Sequence, residues 1–209
     1  MDHGLLPLIL LSFFESDIMK LKLLTLSFAL SCAFMGSAMA MTSAEYKAEK
    51  DRIAASYKVS KDKCKGLKDN AEDVCESEAK GADKVAKAEL ESKYKPTARN
   101  TEKVAMVKAD TMYDTAKEKC DDLSGNAKDV CVKDAKAAHV KAKSDAKVVK
   151  TSADTAGTGN TQRVTDAKNE GAADQRQALF KAANERCDVL SGAAKDTCQN
   201  DAKAKYNTK

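Results

Sequence analysis

The sequence predicts an all-α fold: three antiparallel helical hairpins, each pinned by one disulfide, elongated or loosely bundled. Three observations lead there. First, one motif recurs three times at fixed internal spacing, as Tyr57, Cys64, Leu67, Ala71, Asp73, Cys75; then Tyr113, Cys120, Leu123, Ala127, Asp129, Cys131; then Phe180, Cys187, Leu190, Ala194, Asp196, Cys198. Second, alanine, lysine and glutamate dominate, and all three favour helix. Opposite charges also recur at helical spacing, as in Glu45 and Glu49 near Lys47 and Lys50. Third, the paired cysteines are 11 residues apart, which on one straight helix is about 16 Å, whereas a disulfide spans roughly 4.4 to 6.8 Å between Cα atoms. A bridge within a copy therefore requires the chain to turn back between its cysteines.

Taken in order, residues 1–18 read as an upstream extension ahead of the true start, since the apolar run Leu5 to Phe14 is too short to span a bilayer. Residues 19–40 read as a cleaved signal peptide. Met19-Lys20-Leu21-Lys22 is a basic head, Leu23 to Gly36 an apolar run, and Ala38-Met39-Ala40 a small-residue cleavage site. An uncleaved anchor is interrupted by Glu15, Asp17, Lys20 and Lys22, and Cys32 sits in a poor acylation context. The expected location is the periplasm.

Residues 41–96 form the first hairpin repeat, with helices over 43–68 and 71–93 that Pro96 ends, because proline cannot continue a helix interior. Residues 97–150 form the second, with helices over 101–124 and 127–149. Between the limbs, Gly125 suits a left-handed helix end, Asn126 an N-cap and Asp129 the capping-box position. The third copy has Ala193 where a cap is wanted, so its turn is expected to be the least defined. Residues 151–174, rich in threonine, glycine and asparagine, read as a flexible linker, and residues 175–209 as a short third hairpin. Within a hairpin, the aromatic, a small residue (Ser60, Ala116 or Ala183), the cysteine and the leucine make a seven-residue seam. Ala71, Cys75, Ala79, Ala82 and Ala86 answer it from the other limb, as do Ala127, Cys131, Ala135, Ala138 and Ala142.

Little else is available to bury. Leucine, isoleucine, valine and phenylalanine are about one tenth of the chain after residue 40, below the roughly 20% at which packed cores become doubtful. A disulfide closing a loop of about 12 residues contributes roughly 2 to 3 kcal/mol, which compensates for missing apolar contact.

The cysteine count points the same way. There are seven; Cys32 falls in the signal, and six remain, an even number in an exported chain. Six cysteines allow fifteen connectivities, and sequence alone does not choose among them. Structural disulfides at Cys64, Cys75, Cys120, Cys131, Cys187 and Cys198 are the expectation, with metal binding or free-thiol chemistry as the alternatives. No Cys-x-x-Cys pair is present. His139, the one histidine after residue 40, is expected to be solvated on the polar side of its helix.

The carboxylates are interleaved with lysines as on soluble helices, and so thin a core offers no pocket in which to perturb them. No phosphate loop or nucleophile elbow occurs. An enzyme is therefore not expected, nor a cofactor or metal. The net charge of +4 becomes +5 once residues 1–40 are removed, because they carry Lys20 and Lys22 against Asp2, Glu15 and Asp17. This excess is dispersed, which argues against nucleic acid. An envelope protein or an anionic envelope polymer is the expected partner, with self-association possible in principle and no stable membrane span after signal cleavage. Tyr46, Tyr57, Tyr94, Tyr113 and Tyr206 are candidate recognition groups, those at the repeat position being expected in the seam.

The run Cys120-Asp121-Asp122-Leu123-Ser124-Gly125-Asn126-Ala127-Lys128-Asp129-Val130-Cys131, preceded by Tyr113 and followed by Ala135-Lys136-Ala137, resembles small exported Gram-negative proteins labelled cell envelope biogenesis protein TolA. The likeness covers nearly all of residues 41–209. The run is also similar, at shorter cysteine spacing, to the phosphate-starvation-inducible PsiF repeat. The resemblance implies a structural or stress-related envelope role and carries over no catalytic residue. A periplasmic holdase and a thiol or metal buffer are the alternative functions.

Overall fold

The structure, a computed structural model, describes residues 41–207; the expected signal peptide, the extension ahead of it and Cys32 lie outside the described residues. The described residues are all-helical: α1 (Ser43–Cys64), α2 (Asn70–Tyr94), α3 (Ala98–Cys120), α4 (Gly125–Thr155), α5 (Thr161–Arg186) and α6 (Gly192–Tyr206), with a 3₁₀ turn at Cys187–Val189. Extensive contacts run only between consecutive helices, each antiparallel to the next. The α4–α5 pairing is the most extensive and α5–α6 the least.

Local chemistry accounts for the helix ends. Thr42 and Glu45 form a reciprocal capping box at α1: the Glu45 N–H donates to the Thr42 hydroxyl at 3.2 Å, and the Thr42 N–H to the Glu45 carboxylate at 2.7 Å. Pro96 follows the end of α2 as expected, and the Thr97 hydroxyl caps α3 by accepting from the Asn100 N–H at 3.1 Å.

The expected helix bounds need correction in two places. The helices before each turn stop at the first cysteine, not several residues later, so α1 ends at Cys64 and α3 at Cys120. The linker assigned to 151–174 is mostly helix: α4 runs on to Thr155, α5 begins at Thr161, and only the bend carrying Gly157 (φ +80°) and Gly159 (φ +68°) breaks them. Threonine tolerates α4 because its hydroxyl bonds the carbonyl four residues back, Thr151 to Lys147 at 2.8 Å and Thr155 to Thr151 at 2.7 Å. Of the two expected arrangements, elongated or loosely bundled, the hairpins take the bundled one. Helices α2 and α3 pack along their lengths, and α5 packs on α4 before it reaches α6.

Small residues carry this packing, as the low apolar content requires. The buried apolar set is Ile53, Leu90, the cysteines Cys64, Cys120 and Cys187, and seven alanines. Ile53 and Tyr57 of α1 face Ala79, Ala82 and Ala86 of α2, the expected arrangement of large against small. Between hairpins the device is glycine against a short hydroxyl side chain. A Cβ placed on Gly81 would meet the Thr111 Cβ at 3.1 Å, and one on Gly171 the Ser144 Cβ at 2.7 Å. Gly171, which reads as a linker residue in the sequence, is thus a close-contact point of α5 on α4.

Candidate functional site

The three copies build one turn three times. Cys64–Cys75, Cys120–Cys131 and Cys187–Cys198 are bridged, with Cα–Cα distances of 5.5, 5.7 and 5.7 Å. The first sulfur of each pair is fully buried at the end of its helix. Three residues on, the leucine N–H turns back and donates to that cysteine's carbonyl, Leu67 to Cys64 at 2.9 Å, Leu123 to Cys120 at 3.0 Å and Leu190 to Cys187 at 3.0 Å. Five residues past the cysteine the backbone takes a positive φ: +53° at Asp69, +56° at Gly125 and +55° at Gly192. The third turn matches the second, Ser191 (φ −136°, ψ 160°) repeating Ser124 (φ −135°, ψ 159°). The expectation that it is less defined is incorrect, because a glycine at the positive-φ position, not a side-chain cap, sets the bend.

This geometry moves the leucines out of the seam. A heptad would bury them only if the helix continued past the cysteine; it stops there, and Leu67, Leu123 and Leu190 are 43%, 44% and 40% exposed. Asn126 also differs from its expected role. Its side-chain amide does not cap α4 but donates to the Glu185 carbonyl at 2.7 Å.

All three turns lie at the same end of the helical array. The start of α2 meets the end of α3 through Ser77 and Thr115 at 3.1 Å and Lys119 on Glu78 at 2.8 Å. The start of α4 meets the end of α5 through Asn126, and Arg186 reaches both oxygens of Asp134 at 2.6 and 2.5 Å. With helix axes roughly 8 to 10 Å apart, alternate connections place successive leucines about 16 to 20 Å from one another along this edge. Charges along it are mixed and largely paired, Lys65 with Asp62, Lys128 with Asp121 and Lys195 with Asp188.

Of the tyrosines proposed for recognition, none is fully exposed. Tyr46 and Tyr94 pack with ring centroids 4.5 Å apart at the far end of the first hairpin, and the Tyr46 hydroxyl donates to Glu91 at 2.9 Å. That bond holds the Glu91 carboxyl below its usual range and the Tyr46 hydroxyl above its own.

His139 is not solvated. Its side chain is 9% exposed, its ring stacks on Tyr113 with centroids 4.7 Å apart, and its Nε2–H donates to Asp110 at 2.6 Å. Burial pushes the Asp110 carboxyl up, but the His139 hydrogen bond and the Lys143 ammonium outweigh it, and the group titrates below the ordinary aspartate range. Lys136 lies over the same Tyr113 ring, 5.1 Å from its centroid. The signal was present in the sequence. Folding the second copy about its cysteine pair sets residue 139 opposite 112 and 113, one turn from Asp110. No serine or thiol nucleophile joins this cluster, and its arrangement ties α3 to α4.

All six cysteine sulfurs among the described residues are engaged in bridges. No group of three or more His, Cys, Asp or Glu side chains among the described residues is placed to hold a metal ion. No described helix is long and apolar enough to cross a membrane. No protein-family model, curated protein or solved structure matches the chain.

Proposed function

We propose that this protein is a non-enzymatic periplasmic component of the cell envelope, TolA-like in the sense of the small exported proteins it resembles, with a structural or stress-related role. In this reading the disulfide-closed edge docks on an envelope protein. The observation that carries it is the row Leu67, Leu123 and Leu190: three large apolar side chains held partly exposed at one repeated position by a bridged turn. Hydrophobic side chains exposed on a rigid support favour association, since their burial against a partner releases about 25 cal/mol per Å² and little backbone needs to be ordered. The test is mild crosslinking in periplasm followed by pull-down, comparing the natural chain with L67S/L123S/L190S. One dominant partner lost in the variant supports the reading, and an unchanged partner profile removes it.

The same exposed leucines, with Met112 (71% exposed) and Val189 (68%), favour holdase activity as a second reading. Suppression of client aggregation by the purified chain, abolished in the triple variant and independent of any envelope component, would select it.

A further inference from the structure

A groove of about 400 Å³ lies at the end of the array away from the disulfides, over the last third of α2 and between the starts of α1 and α3. Its position follows from helical spacing: Lys84, Lys87, Ala88 and Glu91 form one stripe of α2, Tyr46 and Lys50 one of α1, and Lys103 and Val107 one of α3. The floor is apolar, made by Leu90 (3% exposed), Ala88, Val107 and the Tyr46 ring. Four ammonium groups surround it against a single carboxylate, in a chain whose acids and bases are otherwise nearly balanced at 32 and 36. That carboxylate, Glu91, is occupied by the Tyr46 hydroxyl and by Lys95 at 3.5 Å. Lys84 and Lys87 are drawn towards Asp114 and Asp83, while Lys50 and Lys103 have no salt-bridge partner among the described residues.

We propose that this groove binds a single-chain anionic amphiphile, its acidic head between Lys50 and Lys103 and its alkyl chain along Leu90 and Val107. Charge complementarity selects the head. The groove's size falls in the range of small-ligand sites, roughly 300 to 1,000 Å³, and accommodates one alkyl chain along its apolar floor. A long-chain carboxylate and an alkyl phosphate share this chemistry. The inference does not depend on the leucine edge, which lies at the opposite end of the helices.

Titration calorimetry of the mature chain with dodecanoate and with dodecyl phosphate, each below its micelle concentration, tests the proposal. Dodecyltrimethylammonium serves as the cationic analogue of equal chain length, and inorganic phosphate as the head alone. Either anionic amphiphile should bind at one site, and the one bound more tightly identifies the head group; the cation and free phosphate should bind at least tenfold more weakly. K50Q/K103Q, two exposed positions whose change should leave helicity intact, should weaken binding about tenfold. K168Q/K181Q, an equal charge change on α5, should not. Equal binding of the cationic amphiphile, equal loss in both lysine pairs, no binding of either anion, or occlusion of the groove by a second copy as protein concentration rises would each overturn the proposal.

Discussion

Replacing Asp69 by glycine should stabilise the protein, although it removes a charged side chain at the start of a helix. Asp69 holds φ +53° and ψ −143°, a region that is open essentially to glycine alone, and the equivalent positions in the other two copies are Gly125 and Gly192. Such a conformation costs a residue with a Cβ on the order of 1 to 3 kcal/mol. Against that relief stand the greater freedom of glycine in the unfolded chain, about 0.5 to 1 kcal/mol, and the lost attraction of a carboxylate to the N-terminus of α2, about 0.3 to 1 kcal/mol. The Asp69 side chain makes no capping hydrogen bond, so nothing larger is forfeited. The mid-range net gain is about 0.6 kcal/mol, which in a chain of this size raises Tm by about 1 to 2 °C. Thermal and urea unfolding followed by far-ultraviolet circular dichroism reads it. The reverse exchange, G125D, carries the same contributions with opposite sign and should destabilise by about 0.6 kcal/mol. A D69G protein that is less stable than the natural one, or a G125D protein that is equally stable, would refute the argument that backbone conformation at this position sets the turn.

Gly171→Ala should lower stability by about 1 kcal/mol despite the better helix propensity of alanine, because the new methyl meets Ser144; S144G in that background should recover much of the loss in a double-mutant cycle. Cys120→Ser with Cys131→Ser should cost about 2 to 3 kcal/mol and lower Tm by several degrees while helicity in the cold persists. Removing Cys187 and Cys198 instead should accelerate hydrogen exchange in α6 far more than elsewhere, since α6 packs chiefly on α5 and the bridged turn before it. Asp110 has its folded pKa below the unfolded value of about 3.9, so its contribution is complete above that pH and fades as pH falls through the folded value. The Tm difference between the natural chain and D110N should therefore shrink as acid protonates Asp110.

The helices, the hairpin turns and the facing of large residues against alanines were legible in the sequence because each rests on local spacing around a cysteine pair. What was not legible depends on neighbours far along the chain. Gly171 looks like a chain breaker by composition, and only the approach of Ser144 gives it a packing role. His139 differs: it looks solvated on its own helix, but folding the second copy about its cysteine pair already sets it against Tyr113. The leucines illustrate the reverse case: heptad spacing placed them in the seam, but a helix end at the preceding cysteine removed the turn that would have carried them there. The three bridges followed from the motif; the shared end of the three turns required the pairings of α2 with α3 and α4 with α5, which no repeat announces.

Each bridge joins cysteines that follow one another directly along the polypeptide, 64 with 75, 120 with 131 and 187 with 198. Among residues 41–207 the bridges therefore neither cross nor nest, so oxidation in order from the N-terminal side pairs each first cysteine with the next thiol to arrive and reaches native connectivity without reshuffling.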